Sequence, residues 1–236
     1  IPKSGSDGFG YSLAKSLGHS ITVLMTPGLV PLTLPRDHFL CALSGVTIPA
    51  TLELRGGTGK RLVAFTDSTL LTHFGLSGPS VLDISRHYLH AKHADARTTL
   101  IVNWLPGTSA EAFDEALQSL GGGHVGNFLR PRLPERLARA LCDQARVDAV
   151  TRGDQLKREQ RRALVDVVTQ YALPVTGSRG YNFAEVTSGG VPLSEVRLET
   201  MESRVCPGLH LCGEICDVDG RIGGYNFQWA WASGSV

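Results

Sequence analysis

A chain of 236 residues, 42% hydrophobic and 19% charged, is long enough to bury a substantial core and too apolar to stay disordered. Its formal net charge of +1 provides no overall field to recruit nucleic acid or an anionic membrane, so neither is expected as a partner. No apolar run approaches the roughly 20 residues of a membrane span and the start lacks a basic-then-apolar signal layout, so a cytoplasmic location is expected.

The chain opens at Ile1 without Met and meets Gly5-Ser6-Asp7-Gly8-Phe9-Gly10 almost at once, as a fragment would. Tyr11 to Gly18 reads as a short helix closed by glycine, followed by a strand over Ile21 to Met25. From Val30 to Leu105 the pattern turns β-like: 50–55, 60–66 and 97–104 show partial alternation, and Gly56-Gly57-Thr58-Gly59 is a hairpin loop. One helix interrupts it at Pro79 to His90, with Val81, Leu82, Ile84, Tyr88 and Leu89 on an apolar face.

A helical block follows. Thr108-Ser109-Ala110-Glu111 has capping-box spacing ahead of Ala112, Phe113, Ala116, Leu117 and Leu120, and Gly121-Gly122-Gly123 ends the pattern. Pro134 opens a second helix and Leu156 to Tyr171 forms a third, whose basic run Lys157 to Arg162 reads as a solvated face. Strand character returns at Leu173 and leads to a short apolar run, Leu209 to Cys212, that reads as a buried strand.

The run is followed by Gly213-Glu214-Ile215-Cys216-Asp217-Val218-Asp219-Gly220-Arg221-Ile222-Gly223-Gly224-Tyr225-Asn226-Phe227, and Phe227 to Ala232 could open a helix. Glycines between a strand and a helix start expose backbone N–H groups and a positive dipole end, which suit an electron-rich ligand; the same glycines also suit a plain surface loop. Glu214 and Asp217 could accept hydrogen bonds from ligand hydroxyls or simply shape the turn. No G-x-G-x-x-G occurs, Gly5 to Gly10 has the reverse spacing, and Gly56 to Arg61 lacks the Walker A pattern, so no phosphate loop is expected in these residues. The five cysteines, Cys41, Cys142, Cys206, Cys212 and Cys216, are odd in number and suit reduced thiols, and no metal site is expected from the Cys212/Cys216 spacing.

Several blocks, in order, resemble the BaiN-like or aminoacetone-oxidase-like NAD(P)/FAD-dependent oxidoreductases: 2–10, Thr72 to Pro79, Phe183 to Leu193, Thr200 to Arg204 and Gly213 onwards to Gly234. The resemblance implies an α/β (α+β) fold: a partial two-dinucleotide-binding, Rossmann-like FAD domain with a β-rich inserted domain and a small helical subdomain. The expected parts are 1–29 (piece of the FAD domain), 30–106 (β-rich insert), 107–172 (helical subdomain) and 173–236 (closing strands and the last piece of the FAD domain). It implies an FAD cofactor with NAD(P)H as possible co-substrate. Contacts fall on Gly213, Glu214, Asp217, Gly220, Gly223, Gly224, Tyr225, Asn226 and Phe227, Asp217 resembling the acid that holds the ribityl chain.

The expected function is FAD-mediated hydride transfer from NAD(P)H or a small amine or alcohol donor, with this chain holding an incomplete FAD site. The alternative is a substrate- or partner-binding module that holds no flavin and is not itself an enzyme. His73 is the candidate acid–base residue, although a structural histidine is the more expected reading, and Lys3 and Arg204 are weaker substrate contacts. A hydrolase built on Ser77, His73 and Asp83 is disfavoured, because Pro79 stands where a nucleophile elbow needs glycine. Oligomeric state stays open.

Overall fold

The computed structural model describes residues 2–236, the side chain of Lys3 excepted, so the expectations for Ile1 and for Lys3 as a contact lie outside the described residues. The chain runs α1 (Phe9–Ser16), β1 (Thr26–Gly28), β2 (Leu32–Thr33), β3 (Thr47–Arg55), β4 (Arg61–Thr72), β5 (Gly75–Ser77) and α2 (Pro79–Ala94). It continues through β6 (Thr99–Asn103), α3 (Ala110–Gln118), α4 (Val125–Leu129), α5 (Glu135–Gln144), α6 (Arg158–Thr169), β7 (Tyr171–Leu173) and β8 (Gly177–Ser178). Last come β9 (Val186–Ser188), β10 (Val196–Arg197), β11 (Glu202–Ser203) and α7 (Tyr225–Ser235). The class is α+β, as the resemblance implied.

Seven strands form one antiparallel sheet in the order β7-β6-β3-β4-β5-β2-β8. Its two edge strands are joined by a segment so short that β7 and β8 cannot lie more than about 14 Å apart. A flat sheet of that many strands would hold its edges about 29 Å apart, so the sheet curls into an incompletely closed barrel. Period-two patterning fills it: Ile48, Ala50, Leu52 and Leu54 of β3 point inward and are buried, while Thr47 and Pro49 point out. The β3–β4 hairpin turns through 56–60, where the Gly56 N–H donates to the Lys60 carbonyl.

Between β6 and β7 the regular elements are helices, and this block caps the barrel. Trp104, Phe113, Leu117, Leu129, Leu137, Leu141, Leu164 and Val168 extend the barrel's core into the block without a break. Ser109 caps α3, its Oγ accepting from the Ala112 N–H, so the cap falls one residue after Thr108; Pro134 precedes α5 as its cap residue rather than opening it. The unanticipated α4 is a single short stretch, Val-Gly-Asn-Phe-Leu, too brief and too glycine-broken to show a helical period.

The two ends of the chain meet in a second core of Ala14, Val191, Val196, Met201, Leu211 and Cys216. Antiparallel pairing of β1 with β9 and of β10 with β11 frames it, and a third small cluster, Leu29, Leu82 and Val186 with Ile222, joins it to α2. Ile21 to Met25 is not a strand: the Thr22 N–H and Oγ1 both bond to the Gly190 carbonyl, Val23 is fully exposed, and pairing begins only at Thr26. Leu209 to Cys212 forms only a bridge from His210 to Glu202, because a 3-10 turn takes over at Gly213. All ladders among the described residues are antiparallel, and one isolated bridge, Val191 to Cys216, is parallel.

Candidate functional site

The 213–227 turn is fastened from three sides. Asn226 closes it on itself: its Oδ1 accepts from the Gly220 N–H at 2.7 Å and its Nδ2 donates to the Gly220 carbonyl at 3.2 Å. Helix α7 braces the start of the turn, with Trp229 Nε1 donating to the Gly213 carbonyl at 3.0 Å and the Gly213 N–H donating to Ser233 Oγ at 2.9 Å.

The third support is α2, which the sequence reading treated only as a packing helix. Asp83, 1% exposed, accepts from the Ile222 N–H at 2.7 Å and from Arg221 Nε at 3.1 Å. One turn on, Arg86 Nη1 donates to the carbonyls of Asp219 and Gly220 and to the Asp219 carboxylate. These two residues stand three apart, hence on one face of the helix. Asp83, a charged residue on the otherwise apolar, buried stretch Val81 to Ile84, is the available signal, although from sequence it figures only in the disfavoured hydrolase triad.

Helix α7 starts at Tyr225 behind Gly224, whose φ of 91° is a left-handed conformation that a side chain would strain, and a Cβ there would meet open space. The N–H groups of Tyr225, Asn226 and Phe227 belong to the first turn, where no intrahelical carbonyl is available. A cavity of about 410 Å³ opens here, lined by Gly223, Gly224, Asn226, Phe227, Glu185 and Glu214. A second cavity of about 350 Å³ lies between the 2–11 segment and Met25, Tyr181, Thr187 and, again, Glu214. Glu214 lines both, and Glu185 and Val186 of the first adjoin Thr187 of the second, so the two form one cleft between the chain ends.

Tyr11 is the polar side chain that sequence reasoning missed. Its hydroxyl donates to the Glu214 carbonyl at 3.2 Å, and burial, then the Glu214 charge, push its pKa up, so it stays protonated at neutral pH. Of the expected contacts, Gly223, Gly224, Asn226, Phe227 and Glu214 line the cleft. Gly213, Gly220 and Tyr225 shape the turn behind it, and the Asp217 carboxylate is taken by the Thr22 hydroxyl at 2.6 Å. His73 is exposed on the β4–β5 turn against Phe74 and lines neither cavity. Arg204 is exposed, its Nε donating to the Val196 carbonyl.

A Ser–His–Glu chain does exist, though not the one weighed from sequence. Ser203 Oγ lies 2.8 Å from His19 Nε2, and His19 Nδ1 lies 2.7 Å from Glu195. Ser203 is 1% exposed and its Oγ already accepts the N–H groups of Val205 and Cys206, so it cannot reach a substrate. It is a polar clamp between the two chain ends.

The cysteines are free thiols: Cys41, Cys142 and Cys216 are buried, Cys206 is half-buried and Cys212 exposed. Burial pushes Cys142 and Cys216 up to about 11. In native protein at about pH 8, iodoacetamide should therefore label Cys212 first and spare Cys142 and Cys216 until the chain unfolds. Peptide mass spectrometry reads the order, and early labelling of Cys216 would contradict it.

Residues 26–186 match the family described as HI0933-like protein barrel and H2TH domain. The chain belongs to the HI0933-like family. The barrel and its helical cap are the parts the match covers. Among similar curated proteins, ribosomal RNA dihydrouridine synthase of Escherichia coli is 38% identical over 99% of this chain and 56% of its own length. The protein of the same name in Haemophilus influenzae is 34% identical over 99% of this chain and 55% of its own. The 3-dehydro-bile acid delta(4,6)-reductase of Clostridium scindens is 34% identical over 98% of this chain and 56% of its own. The chain thus spans about half the length of the curated relatives it matches, and the HI0933-like membership is broader than the BaiN-like or aminoacetone-oxidase-like grouping.

Two of these relatives are named for ribosomal RNA, which corrects the expectation that excluded nucleic acid. That expectation rested on a net charge of +1, an average that says nothing of local surplus.

Proposed function

We propose that this HI0933-like chain is part of a flavin-dependent oxidoreductase that adds two hydrogens across a carbon–carbon double bond, with a uridine of ribosomal RNA as the substrate class. Both kinds of relative support the reaction type, since making dihydrouridine from uridine is a reduction, as is the work of a reductase. The ribosomal RNA reading follows the names of two of the three relatives.

The observation that carries the flavin reading is the cleft: a glycine-started helix N-terminus, a carboxylate and a protonated tyrosine converge on one opening of the right chemistry. FAD, when bound, supplies the exchange of a hydride with substrate and nicotinamide. The chain's own part is electrostatic and positional. First-turn N–H groups of α7 and its positive dipole end favour an electron-rich ring edge, Glu214 can accept from ribityl hydroxyls, and Tyr11 holds a proton beside it.

We also assign residues 1–29 and, after the closing strands of the barrel, the remainder of 173–236 to a split Rossmann-like domain whose other part covers their bare apolar stripes. Phe9, Leu13 and Leu17 recur at four-residue spacing along and just beyond α1, and Phe227 and Trp231 do so on α7; all are exposed, Trp231 at 75%. The barrel, 30–106 with its closing strands through Ser178, and the helices at 107–172 then form an insert.

Flavin titration tests the reading. FAD fluorescence should quench saturably with the wild-type chain, at an affinity weakened to about 10–1000 µM because the phosphate-binding loop is not among these residues. Gly224→Val should weaken it about tenfold or more by straining the α7 start. Absence of saturable quenching, or equal binding by both proteins, would favour the flavin-free module instead.

A further inference from the structure

The helical cap carries a local charge surplus that the reaction site does not use. Between residues 124 and 142 the chain has four arginines and one carboxylate, and that carboxylate, Glu135, pairs with Arg139 at 2.9 Å. Arg130, Arg132 and Arg136 are left without a carboxylate partner among the described residues, and all three are exposed.

Two of the three are fixed by neutral acceptors. Arg132 donates to the Phe128 carbonyl at 2.5 Å with its guanidinium 4.0 Å above the Phe128 ring, and Arg136 donates to the carbonyls of Ala42 and Ser44. Carbonyls hold a guanidinium in place without cancelling its charge, so the positive field remains available to a partner. The patch therefore spans the junction of cap and barrel. Beside it lies a cavity of about 480 Å³, walled by Ile48, Pro49, Pro106, Phe113 and Phe128, with Arg132 at its edge.

Fixed, uncompensated arginines next to an aromatic-lined cavity match the two demands of a folded RNA with an unpaired loop. Phosphates need positive charge, and a splayed base needs a flat apolar or guanidinium surface on which to stack. We infer that the α4–α5 corner is an RNA-docking surface, in which Arg130, Arg132 and Arg136 contact loop phosphates and the Phe128 cavity receives an unpaired base. The inference rests on the ribosomal RNA reading above and adds to it where the RNA is held. It needs no contact with the cleft between the chain ends.

The test uses this chain and a fluorescein-labelled RNA stem-loop, its stem about 16 base pairs, by anisotropy across a salt series. The triple variant Arg130→Gln, Arg132→Gln, Arg136→Gln should bind at least about tenfold more weakly at ~0.15 M salt, and the slope of log affinity against log salt should be shallower by about 2. A fully paired duplex should bind the wild type more weakly than the stem-loop does. The control variant Arg55→Gln, Arg61→Gln, on the β3–β4 hairpin, should match the wild type, and circular dichroism verifies that both variants fold.

Unchanged affinity and slope in the triple variant, with RNA still bound, would overturn the surface and leave the ribosomal RNA reading standing. A wild-type chain that binds no RNA would overturn both. Loss of binding to phosphatidylserine vesicles without loss of RNA binding would overturn the surface in favour of a membrane contact.

Discussion

Asp83→Ala should lower stability by about 2–3 kcal/mol, because losing a 1%-exposed carboxylate leaves the half-buried Ile222 N–H without its acceptor, Arg221 without its anchor and a gap under the turn. For a chain of this size that is a fall in Tm of about 5–10 °C, readable by calorimetry. Asp83→Asn keeps an oxygen for the Ile222 N–H and should cost about 1 kcal/mol. The functional consequence should exceed the structural one. With α2 no longer gripping 221–222, the turn ahead of α7 loosens, and flavin quenching should weaken in Asp83→Ala even at temperatures where the protein is folded. A variant as stable as wild type would show that α2 merely touches the turn.

The clamp between the chain ends should be the second sensitive point. His19 is wholly buried at its side chain and bridges Ser203 to Glu195, so His19→Ala removes one hydrogen-bond partner from each, leaves a cavity between the chain ends and should cost about 2–3 kcal/mol. Glu195 adds a pH dependence of known sign. Burial raises its pKa, but hydrogen bonds from Ser20 and His19, the Ser20 N–H and the His19 charge outweigh that, leaving it below the ordinary value of 4.5. A depressed folded-state pKa stabilises the fold above the unfolded value, and that contribution disappears as pH falls through the folded one. Glu195→Gln should therefore be less stable than wild type at pH ~7 by about 1 kcal/mol, the carboxylate being partly solvent-screened, and the gap should close in acid as pH falls below 4.5 and through the folded-state value. Urea midpoints at the two pH values measure it; a gap that persists in acid would assign the difference to packing.

Long, strongly patterned segments were legible in the sequence. β3, β4, β6, α2, α3, α5 and α6 all fall where period-two or helical spacing put them, since one face of each is buried against a single core. Ile21 to Met25 and Leu209 to Cys212 were misread for one reason: both are apolar because they plug a small core at the chain ends, and their backbones bond irregularly to Gly190 and Met201 rather than to a ladder. The turn at 213–227 was visible as a glycine string, and five of its nine expected contacts line the cleft. The partners of Tyr11, Asp83 and Arg86 at the turn were not visible, because each is reached across more than 130 residues of chain. Charge pattern suffered differently. The sum over the chain concealed Arg130, Arg132 and Arg136, whose acidic counterweights lie elsewhere.

The pairing of β2 with β8, Leu32 against Ser178, has a consequence for how the ends come together. On its own, the β1–β9 ladder would have to close a loop of about 160 residues, and loop entropy grows as 1.5 RT times the logarithm of length. Once the barrel exists, only the short leads from β2 back to β1 and from β8 on to β9 remain free. The closure cost falls by about 2 kcal/mol, comparable to what a three-residue ladder can return. The barrel thus acts on the chain ends as a non-covalent cross-link, and the cleft closes at lower entropic cost once the barrel has folded.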